Sequence, residues 1–142
     1  MVMTDNRKKL VDITVLLLRI AAGIIFMQAG GVKIFGWFGG MPPDGSKADL
    51  ASQAGIGGIL EFFGGLLIIA GLFTRPVAFI LSGEMAVAYW QFHFPNGNWP
   101  VQNHGESAVL FCFIFLFLAA YGAGRCSVDG LLWKKRDTRV NV

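Results

Sequence analysis

The sequence predicts an all-α protein: a four-helix transmembrane bundle with both termini in the cytoplasm. Three observations lead there. First, 54% of the 142 residues are hydrophobic and 15% are charged, where a soluble domain carries about a quarter charged. A soluble chain this short leaves much of its surface in water and has nowhere to put the excess apolar side chains. Second, four long apolar runs are separated by turn chemistry. Third, the basic residues gather at the two tails rather than along a groove. That placement points to membrane orientation and anionic lipid, not to nucleic acid.

The elements follow in order. Residues 1–12 form a basic cytoplasmic tail with Arg7, Lys8 and Lys9. The apolar stretch after it is too long for a signal-peptide core, so it reads as a retained span. The membrane domain covers 13–124, with spans at about 13–35, 54–73, 76–94 and 107–123. Runs of this length cover about 30 Å of hydrocarbon. Gly39 to Gly45 and Pro95 to Pro100 are rich in Gly, Pro, Asn and Asp and cannot continue a helix. Pro76 suits the first turn of the third span. Phe111, Phe113, Phe115 and Phe117 alternate, but a lipid-facing helix accounts for them better than a strand. Residues 125–142 form a second basic cytoplasmic tail.

Charge sets the expected orientation. Arg7, Lys8, Lys9, Arg75, Arg125, Lys134, Lys135, Arg136 and Arg139 fall on the side of the termini, against Lys33 and Lys47 on the other. The bias is the positive-inside pattern of the cytoplasmic face. Trp37, Trp90, Trp99 and Trp133 lie near span ends, where indoles prefer the headgroup zone. Cys112 and Cys126 form no CxxC, so neither a disulfide framework nor haem attachment is expected.

Ionisable groups inside spans are costly unless paired or wetted. Arg19 and Lys33 are fourteen residues apart on the first span. Four turns separate them, so they share a face with Ala22, Gly23, Phe26 and Gly30. Glu61 is flanked by Gly57, Gly58, Gly64 and Gly65, a face almost free of side chains that another helix can approach closely. Glu84 shares a face with Ala88 and Gln91, and Glu106 opens the last span. Depth suggests two polar layers. The inner one joins Arg19 with Glu84. The outer one gathers Lys33, Glu61 and Glu106, with Gln28, His93 and His104 near its mouth.

These charges have two readings: ion pairs that fix helix register, or a polar pocket that binds a ligand or moves protons. His93 and His104 read more simply as loop residues than as metal or haem ligands, and no metal is expected. There is no Walker pattern and no dinucleotide fingerprint.

The chain resembles the DoxX family of small bacterial membrane proteins. The likeness rests on Arg19, then Gly30, Gly31, Val32 and Lys33 followed by Phe35, Gly36, Trp37 and Phe38. It continues in Glu61, Phe62, Phe63, Gly64 and Gly65 and in the run Gly71 to Arg75. Gly105 and Glu106, and the run Gly122 to Asp129, complete it. The resemblance implies a four-helix inner-membrane bundle, with Arg19, Lys33, Glu61, Glu106 and Asp129 as its polar residues. Glu84 is outside that pattern. The resemblance also implies association with quinone-linked or stress-related membrane oxidoreductases, and so a quinone or small-molecule site with no covalent cofactor.

Three functions compete on this reading. The first is a quinone- or ligand-binding accessory subunit of a membrane oxidoreductase complex, at most a quinone-linked and not itself catalytic partner. The second is a structural or assembly protein whose charges only fix packing. The third is a small transporter or proton pathway built as a homo-oligomer, because no inverted repeat is visible in a single chain. The expected partners are the lipid bilayer, redox subunits and other copies of the chain.

Overall fold

The computed structural model describes residues 4–132. Trp133, Lys134, Lys135, Arg136 and Arg139, which carry part of the charge argument, lie outside the described residues. Among the described residues every regular element is helical, apart from one isolated bridge between Met41 and Ser46. The contacts divide the chain into two units. The first runs up to Thr74 and resumes at Ala123; the second is Arg75–Gly122.

In the first unit, α1 (Asp5–Phe35) is 31 residues long, about 46 Å at the α-helical rise. It starts eight residues before the expected span, because residues 5–12 contain no Gly or Pro to stop it and Asp5 complements the helix dipole. It ends at Gly36, whose φ of 76° is the left-handed cap that glycine adopts without penalty. The second helix, α2 (Gln53–Ala70), is capped by Ser52, whose Oγ accepts the Gly55 N–H at 3.1 Å. It stops three residues short of the expected end. Gly71 turns left-handed there, and the N–H groups of Gly71 and Leu72 return to the carbonyls of Ile68 and Leu67.

The two helices pack antiparallel through glycines. A Cβ on Gly23 would lie 2.7 Å from the Gly65 carbonyl oxygen, and one on Gly65 would lie 2.6 Å from that of Gly23. Gly30 meets the backbone of Gly58 and Phe62 in the same way. On the face expected to be bare around Glu61, Gly58 and Gly65 lie directly against α1. Gly58, Gly64 and Gly65 are buried, and Gly57 is half-buried. Without a hydrophobic drive between helices in lipid, such close backbone contact is the main source of association.

The second unit begins within α3 (Thr74–Ala88), whose first residue still belongs to the first unit. Its start precedes the expected Pro76 by two residues, which leaves Pro76 in the first turn. The α-register ends at Ala88. Pro95 has no N–H for the carbonyl four residues back, and the chain widens into a π-turn at Tyr89–His93, with the Phe94 N–H returning to Tyr89. A 3-10 turn (Phe94–Asn96), the short α4 (Pro100–Asn103) and α5 (Glu106–Tyr121) complete the unit. The Ser82 hydroxyl donates to the Cys112 carbonyl at 2.8 Å and ties α3 to α5.

Among the described residues, α1 and α2 are long and apolar enough to cross a membrane; α5 is equally apolar but shorter, at 16 residues. Many large apolar side chains face outward, among them Leu17, Phe63, Phe79 and Phe113. In water these would be a liability; against acyl chains they are the normal exterior.

Candidate functional site

Lys33 and Glu61 meet where the α1–α2 pair approaches Gly36. Lys33 Nζ lies 2.6 Å from Glu61 Oε1. The carboxylate is buried, while 29% of the lysine side chain is exposed. Glu61 Oε2 is sealed and has no hydrogen-bond partner among the described residues. The ammonium carries three N–H groups, and among the described residues only Glu61 receives one. The pair is thus asymmetric: a buried anion holds a cation whose other donors remain open.

Rings flank it in sequence. Phe35, Trp37 and Phe62 form a triangle with centroids 5.1 to 5.8 Å apart. Trp37 packs directly on Gly31, where any Cβ would strike the indole. The following loop is held by the Ala48 N–H, which donates to the Lys33 carbonyl at 2.8 Å. The same helix end therefore presents a positive donor and several aromatic edges.

At the opposite end of the pair, Arg19 is fully buried. Its Nε donates to the Ile68 carbonyl at 3.0 Å and its Nη2 to that of Ile69 at 3.0 Å. Its Nη1 donates to the carbonyls of Ala123 and Cys126. Helix C-termini leave carbonyls without intrahelical donors, and the planar guanidinium fork serves several at once. Asp129 completes this end. Its carboxylate accepts the N–H groups of Phe73 and Thr74, each at 2.9 Å, and its own N–H donates to the Gly71 carbonyl at 2.9 Å. The sequence named both residues but not these roles, because backbone partners leave no mark in a side-chain pattern.

In the second unit, His93 closes the π-turn and stacks with Tyr89, 21° between planes. Its Nδ1 is 3.1 Å from the Asn103 carbonyl oxygen. Asn103, which sequence reasoning passed over, is buried; its Nδ2 donates to the Gly97 carbonyl at 2.7 Å and its Oδ1 accepts the Gly105 N–H at 2.9 Å. The signal was its place before His104 and Gly105, where the chain turns left-handed at His104 with φ 56°. Glu106 is exposed in the first turn of α5, a position that complements the helix dipole. Glu84 is half-buried in α3; Gln28, Gln91 and His104 are exposed. Among the described residues no cluster of three or more His, Cys, Asp or Glu could hold a metal ion.

Comparison with known proteins adds the family. The DoxX family model matches residues 14–94. A Haemophilus influenzae protein, designated uncharacterized, is 46% identical over 83 residues, which cover 56% of this chain and 62% of that protein. The inner membrane protein YqjF of Escherichia coli is 33% identical over 143 aligned positions, covering 90% of this chain and 98% of YqjF. No solved structure matches. The matched segment contains Arg19, Lys33 and Glu61 with the glycines that let their helices touch, and a full-length relative is an inner membrane protein: the chain belongs to the DoxX family.

Proposed function

We propose that this inner membrane protein is a quinone- or small-ligand-binding accessory subunit of a membrane oxidoreductase, crossing the bilayer four times with both termini in the cytoplasm. One observation carries the reading: the buried Glu61 carboxylate holds a part-exposed Lys33 ammonium at 2.6 Å, leaving donors open beside Phe35, Trp37 and Phe62. A quinone is a flat ring with carbonyl acceptors. It needs N–H donors at its oxygens and an aromatic or apolar surface for its ring, and the residues present suit both needs. Charge inside a span is expensive enough that a functional role is its default reading. Bound quinone would supply two-electron redox chemistry; the chain's own contribution is to hold and orient it. The sequence has no CxxC pair for thiol–disulfide exchange, so electron transfer is assigned to partner subunits.

Four crossings follow from the four apolar runs, with α3 prolonged by its π- and 3-10 turns. The cytoplasmic side follows from the nine-against-two distribution of Lys and Arg.

The test is mass spectrometry of small molecules extracted from the gently purified protein, wild type beside the double variant Lys33→Met, Glu61→Met. Quinone in the wild type and its loss from a folded double variant is the expected result. A wild type that carries none, or equal loading of both proteins, overturns the reading. A second reading, a pair that only sets the register of α1 against α2, is favoured by the glycine contacts that bracket it. It expects the folded double variant to function normally in cells.

A further inference from the structure

The acceptor of the His93 hydrogen bond is a backbone carbonyl, that of Asn103, 3.1 Å from Nδ1. A carbonyl oxygen has no proton to give, so Nδ1 must be the donor. In the neutral imidazole this assigns the proton to Nδ1 and leaves Nε2 a bare lone pair. His93 is half-buried, and no hydrogen bond joins its Nε2 to another of the described residues. Fixing one ring nitrogen on a backbone carbonyl so that the other faces a ligand is how proteins orient working histidines.

The surroundings narrow the ligand. Tyr89 stacks on the imidazole, and Trp90 and Phe94 contact each other at 4.7 Å. These rings stand on a π-turn, a distortion that breaks the regular helix ladder and concentrates at functional positions. A structural zinc would need about four protein ligands, and the described residues supply no such group. A tether between the π-turn and α4 would need only Nδ1; the aromatic surround of the ring is what a ligand site adds to it.

We propose that His93 Nε2 is the hydrogen-bond acceptor of a binding site for a hydroxylated aromatic ring, a phenol or hydroquinone. The hydroxyl donates to Nε2, and the ring lies among Tyr89, Trp90 and Phe94. The observation belongs wholly to the second unit and does not depend on the reading of Lys33.

The chain has two histidines, so 15N spectra of histidine-labelled protein in lipid nanodiscs resolve His93 directly, with His93→Asn to assign it. The probes are 1-naphthol and 1-methoxynaphthalene, the same ring with and without an O–H donor. The expected spectrum shows Nδ1 protonated and Nε2 bare. Naphthol then moves the Nε2 signal saturably towards the protonated position, and the ether does not. The ether binds roughly tenfold more weakly, the value of one hydrogen bond. The amide nitrogen of His93→Asn takes the place of Nδ1 and is expected to keep the bond to the Asn103 carbonyl, while naphthol loses its advantage over the ether. A proton found on Nε2, equal binding of the two probes to wild type, or a haem that binds through Nε2 in preference to naphthol overturns the proposal. If His93→Asn fails to fold, His104→Asn supplies the assignment and the spectra of the wild type still decide.

Discussion

The Asp129 carboxylate, 55 residues further along the chain, carries the N–H of Thr74, the first residue of α3, at 2.9 Å and that of Phe73 at the same distance. An N-terminal helix cap is thus supplied from a remote segment instead of from the preceding residue. It also holds Phe73, whose φ of 49° is unfavourable for any residue but glycine. Asp129→Ala is expected to lower stability by about 1–2 kcal/mol, as loss of a capping acid does. Asp129→Asn, with a single acceptor oxygen, should lose roughly half as much. Thermal unfolding in detergent, compared across the three proteins, checks both values.

Arg19 serves four backbone carbonyls. Arg19→Met would strand them in an apolar environment and is expected to cost roughly 3 kcal/mol or more. Arg19→Lys keeps the charge but replaces a planar fork with a point donor of shorter reach. It should rescue less than half of the loss. Limited proteolysis within residues 123–132 is the direct readout, since these carbonyls hold that segment against α2. Cleavage should quicken in the order wild type, Lys, Met. Equal rates for all three would show that the guanidinium is not what fastens it.

Glycines separate into those that touch and those that do not. A Cβ at Gly65 would press on the Gly23 carbonyl and the Met27 backbone, which cannot yield as a flexible side chain would. Gly65→Ala should force α1 and α2 apart and cost about 1–3 kcal/mol, the range of overpacked sites. Gly83, on α3, has nothing within 4 Å of the same position. Gly83→Ala should be neutral or raise stability by up to about 1 kcal/mol through helix propensity. Melting temperatures that fall equally for both variants would argue against specific contact between α1 and α2.

Breaking an ion pair from one side is expected to hurt more than deleting it. Lys33→Met leaves the Glu61 carboxylate buried without its cation and should cost roughly 3–5 kcal/mol. Lys33→Met with Glu61→Met should return close to wild-type stability. A double-mutant cycle on unfolding free energies measures the coupling. Additive single effects would mean that the two side chains, 2.6 Å apart, do not depend on each other for stability.

Much of the first unit was legible in its residues. A helical repeat of 3.6 puts Arg19, Ala22, Gly23, Phe26 and Gly30 on one stripe, and all of these are buried on α1. The glycine-lined face of Glu61 announced close packing because absence of side chains is itself a pattern. Lys33 meeting Glu61 followed from depth and charge. What could not be read were contacts to backbone. Any residue can supply a carbonyl, so neither Arg19's partners nor Asp129's role leaves a trace in composition or spacing. Helix ends erred for the same reason. Gly71 ended α2 by turning left-handed while the apolar run continued to Phe73, and Pro95 altered the turns that precede it, not only those that follow.

The reach of Arg19 also bears on how the protein is made. Two of its four carbonyl partners, those of Ala123 and Cys126, are synthesised more than a hundred residues after it. The first helix therefore leaves the ribosome carrying a guanidinium whose bonding cannot be completed until Ala123 and Cys126 have followed. A charge of this kind at mid-span disfavours insertion by about 2.5–3.5 kcal/mol. The first unit therefore cannot reach its full set of Arg19 bonds until residues 123–126 have been made.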